Sequence, residues 1–134
     1  MCGIAGIYSP VRSIDKLTNI AVNMSDAILH RGPDDHGVWI DKKNNLALSH
    51  RRLSIIDTSD GGHQPMSSGC RRYIIVFNGE IYNYRFLRRK LESTKNTIKW
   101  QGGSDTEVLL EAISAWGLKL ALEHSEGMFA FALW

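Results

Sequence analysis

The spacing of apolar positions changes several times along this chain, and each change marks an element. Residues 3–8, "GIAGIY", form a short apolar run ending in Ser-Pro, the pattern of a buried strand with Cys2 at its entrance. Beyond Ser13, a suitable helix cap, the residues Leu17, Ile20, Ala21, Met24, Ala27 and Ile28 recur at helical spacing. They predict an amphipathic helix that covers a sheet and stops at Gly32 and Pro33 of "HRGPDD". "GVWID" and "LALSHRRLSII", on either side of residues 42–45, read as a hairpin, and "DTSDGGHQPMSSG" after it as a surface loop.

The second half opens on "RRYIIVFNG", whose β-branched and aromatic residues 73–77 predict a strand breaking at Asn78-Gly79. Asn83 can cap a helix to about Glu92, with Tyr84, Leu87 and Leu91 on one face, and "TIKW" reads as a further short strand. Ser104 with Glu107 three positions later is a capping-box pattern for a helix over residues 105–116, closed by Gly117. After a short helical piece, "MFAFALW" reads as a buried strand. A domain seldom ends on an exposed apolar strand, so the chain is expected to be a piece of a longer one. Strands and helices are mixed without regular βαβ alternation, which favours an α+β fold with antiparallel sheets over a doubly wound parallel one.

Composition changes this picture little. At 134 residues, 43% of them hydrophobic and 22% charged, the chain is one ordinary globular domain without repeats or low-complexity segments. The net charge of +2 gives no reason to expect nucleic acid or a membrane surface as partner, and the basic residues 85–90 read as a solvated helix face. Cys2 and Cys70 stand far apart, outside any CxxC spacing, which fits a reducing compartment. No apolar run reaches the roughly 20 residues that span a bilayer, and no signal-peptide pattern opens the chain, so a cytoplasmic location is expected. The five histidines show no metal-binding spacing, and no metal is expected.

Three stretches carry candidate chemistry. If Met1 is removed, Cys2 holds a thiol and a free α-amino group, a nucleophile and a near-neutral base on one residue. Taken alone, Cys2 reads sooner as a small hydrophobe entering a strand. Asn78 and Gly79 offer an amide and a backbone N–H of the kind that hold an oxyanion, although Asn-Gly alone is a turn signal. Arg52, Glu80 and Asp105 could together bind a free amino acid, the guanidinium taking its carboxylate and the acids its ammonium. "QGGSDT" superficially resembles a phosphate-cradling loop, but lacks the rest of a nucleotide site.

In order and spacing, "MCGIAGIY", "HRGPDDHG", "RRLSIID", "QPM", "FNGEIYNY", "GSDTEV" and "GMFAFALW" together resemble the class II glutamine amidotransferase domain of glutamine-hydrolysing asparagine synthetases and their close relatives. The resemblance covers essentially the whole chain. It implies an N-terminal-nucleophile fold, a four-layer αββα sandwich, and a glutaminase that releases ammonia. It makes Cys2 the nucleophile, its α-amino group the base, and Asn78 and Gly79 the oxyanion hole. Arg52 then binds the carboxylate of L-glutamine, Glu80 and Asp105 bind its amino group, and the backbone of Leu53, Ser54, Ile55 and Ile56 lines the pocket. Full-length relatives continue into a synthetase domain using ATP and Mg, with aspartate as the expected acceptor; no cofactor is implied for this part. A different acceptor, as in polysaccharide-modifying amidotransferases, and an inactive regulatory domain are the alternatives, and a homodimer is left open.

Overall fold

The computed structural model describes residues 1–55, 59–94 and 98–134. Its elements follow as β1 (Gly3–Tyr8), α1 (Ile14–Ala27), β2 (Asp35–Asp41), β3 (Leu46–Arg52), β4 (Met66–Ser67), β5 (Ile74–Ile81), α2 (Tyr84–Thr94), α3 (Asp105–Trp116), α4 (Leu118–Glu123) and β6 (Gly127–Leu133). They form two three-stranded sheets of order β1-β3-β2 and β4-β5-β6, with every pairing antiparallel. The α+β expectation is met, and so are the layers. Helix α1 lies on the first sheet, α3 lies against β5 of the second, and β5 meets β1 and β3 across the middle.

Strand alternation sorts the side chains between these layers. On β3, Ala47 joins Leu17 and Ala21 of α1 in a small core, and Arg51 on the same face reaches the Ser25 carbonyl with Nε and the Asp26 carboxylate with a terminal nitrogen. The intervening Leu48, His50 and Arg52 turn toward the second sheet. On β5, Ile75, Phe77 and Ile81 point into the larger core with Leu87 and Leu91 of α2 and the buried face of α3. Helix α3 is buried on most sides, because α2 and α4 flank it and β5 covers it.

The capping box over residues 104–107 forms as expected, with Ser104 Oγ accepting from the Glu107 N–H at 3.2 Å. Glu107 does not complete the reciprocal bond familiar from this motif; its carboxylate accepts instead from the N–H groups of Gln101 and Gly102 at 2.7 and 3.0 Å. Ser13 holds the cap position of α1 without a side-chain capping bond, and the helix ends at Ala27, before Gly32 and Pro33.

Several expectations need correction. Strand β5 does not break at Asn78-Gly79 but runs on to Ile81, because β6 pairs along it and Gly79, at φ 151°, takes the backbone past the close approach of Phe129. Residues 98–100 of "TIKW" form no strand; Ile98 and Trp100 pack on the helical core, with the Arg88 guanidinium 4.3 Å from the Trp100 ring centre. Thr97 lies outside the described residues. The loop after β3 is not simply surface, since Gln64, Met66 and Ser68 are buried and Met66–Ser67 pairs with β5. Strand β3 stops at Arg52 rather than continuing through "LSII". Strand β6 is buried on one face only: Phe129, Phe131 and Leu133 pack on the core, while Met128 is 69% exposed.

The two sheets are joined by a buried polar contact. The fully buried His50 places Nε2 3.0 Å from the Phe77 carbonyl, so Nε2 carries the proton and donates. Burial holds the imidazole neutral, lowering its pKa from 6.5 to about 4. An unfolded chain therefore takes up this proton from about pH 6.5, while the folded one does so only near pH 4, and acidification favours unfolding. His50 should account for a stability loss of at most roughly 3 kcal/mol over that interval. Urea titrations between pH 7 and 4 should show a shallower decline for His50→Gln, which keeps a donor toward Phe77. In the larger core, Leu109→Ala should cost about 3 kcal/mol, read from the same urea midpoints at pH 7.

Candidate active site

The register of β1 on β3 places the thiol. Gly3 is opposite Arg51, which brings Cys2 alongside the end of β3. Its Sγ accepts from the Leu53 N–H at 3.3 Å and lies 3.6 Å from the Leu53 carbonyl, toward which the thiol can donate. The Cys2 carbonyl accepts from Arg31 Nε at 3.0 Å. The thiol is thus fixed at the mouth of a cleft of about 290 Å³ lying where the ends of β1, β3 and β5 meet the start of α3. Met1 lines the same cleft.

Arg52 lines the cleft beside Leu53 and is 7% exposed. Its Nη1 donates to the Ser59 carbonyl at 2.9 Å, and the guanidinium lies so close to Gly62 that a Cβ there would stand 1.9 Å from a terminal nitrogen. Only glycine leaves room for the arginine. Asn78 and Gly79 line the cleft from β5, where Asn78 Oδ1 is buried without a hydrogen-bond partner among the described residues. Glu80 is exposed at the rim. Asp105 is 5% exposed and accepts from the N–H groups of Ile81 and Thr106, at 2.8 and 2.9 Å. Burial raises its pKa against those bonds, and the charge of Glu80 adds to the rise.

The cleft therefore gathers Cys2, Arg52, Asn78, Gly79, Glu80 and Asp105, the residues singled out on chemical grounds. Leu53 and Ile55 line it as well. Ser54 does not; its N–H turns away to donate to Asp34 Oδ2 at 2.8 Å. Ile56 lies outside the described residues. The lining also includes Gln64 and Thr106, for which no sequence pattern supplied a chemical reason. Gln64 lay within the matched "QPM", and only its burial reveals a role. No helix among the described residues is long and apolar enough to cross a membrane.

The second cysteine sits elsewhere. Cys70 is exposed, with Sγ 3.1 Å from Ser114 Oγ and 3.3 Å from Ser68 Oγ, and these contacts lower its thiol pKa. An alkylating agent will find it unless it is replaced.

The cleft thus brings a thiol and amide groups together with side chains of both charges. Comparisons with known proteins place the chain in a family. Residues 1–134 match the glutamine amidotransferase domain family. The chain is 40% identical to asparagine synthetase [glutamine-hydrolyzing] 1 of Bacillus subtilis, covering all of this chain and 21% of that protein. It is 36% identical to asparagine synthetase B of Escherichia coli, covering 23% of it, and 35% identical to the amidase chry2 of Gibberella zeae, covering 21%. It spans about a fifth of the length of these relatives. In fold it is similar to the glutamine phosphoribosylpyrophosphate amidotransferase of B. subtilis, with a TM-score of 0.69 at 20% identity over 99% of this chain and 34% of the other. This chain belongs to the class II glutamine amidotransferase domains and is related to the glutamine-hydrolysing asparagine synthetases.

Proposed function

We propose that this chain hydrolyses glutamine to glutamate and ammonia, with Cys2 as nucleophile once Met1 has been removed. The observation that carries the reading is the convergence of the Cys2 thiol, Arg52, the Asn78-Gly79 pair and two carboxylates on one cleft. Arg52 binds the α-carboxylate of glutamine, and Glu80 and Asp105 bind its ammonium group, leaving the side-chain amide at Cys2. The α-amine of Cys2 takes the thiol proton, and sulfur attacks the amide carbon. The negative charge of the tetrahedral intermediate falls on the former carbonyl oxygen, where the Asn78 amide and the Gly79 N–H can donate. The Cys2 ammonium passes its proton to the amide nitrogen, the C–N bond breaks, and ammonia leaves a γ-glutamyl thioester on sulfur. Water then attacks the thioester, and glutamate departs with the thiol restored.

Ammonia release implies an acceptor. The likeness to asparagine synthetases supports aspartate, activated by ATP with Mg in a synthetase domain following this one. In this reading the nucleotide belongs to that following domain. The 35% identity to an amidase supports a second reading, in which the same glutaminase serves another acceptor.

The test is glutamate release from glutamine by the full-length protein. Cys2→Ala should abolish it, and Asn78→Ala should lower kcat by about 10²- to 10³-fold. Mass spectrometry should find Cys2 as the first residue of the active species. Undiminished turnover by Cys2→Ala would overturn the assignment.

A further inference from the structure

Strand β5 is held from an unexpected side. Its even-numbered residues turn their peptide groups toward β6, as the bonds between Ile74 and Trp134 and from Tyr82 to Glu126 show. Phe77, Gly79 and Ile81 turn theirs to the opposite edge, where the partner β4 pairs only with Ile74 and Ile75. Beyond β4 the edge is completed by side chains. The Phe77 N–H donates to Gln64 Oε1 at 2.7 Å, and the Phe77 carbonyl accepts from His50 Nε2 at 3.0 Å. The Ile81 N–H donates to Asp105 Oδ2. Gln64 itself is 5% exposed and extends Nε2 to Thr106 Oγ1 at 3.4 Å, tying Phe77 to the first turn of α3. The peptide group of Gly79 lies between these two ties, on the side of the cleft.

We propose that Gln64 and His50 are positioning residues for glutamine hydrolysis: they clamp the Phe77 peptide so that Asn78 and Gly79 present their donors where the oxyanion forms. This rests on the glutaminase reading above. A longer β4 would hold Phe77 equally well, but its ladder would continue to the Gly79 N–H and consume that donor. Side-chain bonds end the ladder early while keeping the strand rigid. The clamp's hydrogen bonds end on Phe77 and on the Thr106 hydroxyl, so its loss acts first on the oxyanion donors that follow Phe77.

The test uses full-length protein carrying Cys70→Ser. Gln64→Met removes the acceptor for the Phe77 N–H at similar volume, and should lower kcat for glutamine hydrolysis about 10- to 100-fold, with KM for glutamine within about twofold of the parent. Alkylation of Cys2 by iodoacetamide, a displacement that builds no oxyanion, should keep its rate. Gln64→Glu, which retains an oxygen toward Phe77, should recover most of kcat. An unchanged kcat in Gln64→Met, a change confined to KM, or a parallel fall in alkylation would overturn the clamp. If Gln64→Met does not fold, Thr106→Val unties only the far end of the same side chain, and an unchanged kcat there has the same force. A parent that hydrolyses glutamine through Cys2 beside an indifferent Gln64→Met removes the clamp alone. A parent releasing no glutamate removes the glutaminase reading and the clamp together.

Discussion

A β-strand that is paired on both edges has no backbone donor left for a ligand, and a strand with an open edge is poorly held. Strand β5 meets both demands at the Phe77 peptide, where Gln64 and His50 take the N–H and the carbonyl that β4 is too short to reach. The surrounding fold depends on that substitution. It lets the second sheet end its ladder beside the cleft, and it joins β5 to β3 and to α3 at one point. The cost is a buried imidazole kept neutral and buried amide groups that must be satisfied.

The thiol is placed by the other sheet. Pairing between β1 and β3 sets Cys2 against the Leu53 peptide, and the end of β3 at Arg52 turns that peptide toward the thiol. A residue next to a chain terminus is ordinarily free to fray. Here the strand behind it, the Leu53 bond and the Arg31 contact remove that freedom. In the proposed function the nucleophile and its base must both lie at the very end of the chain, and a strand entering the interior is an economical way to hold a terminus still.

Much of this was legible in the sequence, for reasons that differ between elements. Helix α3 was readable because Ser104, Glu107 and Gly117 act on neighbours a few residues away. Cys2, Asn78, Arg52 and Asp105 were readable as a candidate group because their chemistries are complementary, although each alone has a plainer reading, and the fold gathers them in one cleft. What failed was decided at a distance. Asn78-Gly79 is a turn signal until β6, from the far end of the chain, pairs across it. Ile98 and Trp100 have strand composition, but burial against the helical core gives them more than an edge would. Gln64 carries no local signal, since its partners Phe77 and Thr106 are brought to it only by the fold.

Asp105 joins the structural and chemical demands on this cleft. Both of its oxygens already accept from backbone N–H groups, one tying down the end of β5 and the other the first turn of α3. An ionised carboxylate has about four acceptor positions, so two remain for a ligand. Burial nevertheless raises its pKa, with Glu80 adding to the rise, so the empty cleft holds this charge at a disadvantage. An ammonium group arriving beside Glu80 and Asp105 reverses that disadvantage, because it favours the charged form of Asp105 and sets attraction against the like-charge repulsion. Under the proposed function, the strain of keeping two acids near one another is relieved by the substrate itself, and a neutral ligand of the same shape would gain nothing from it.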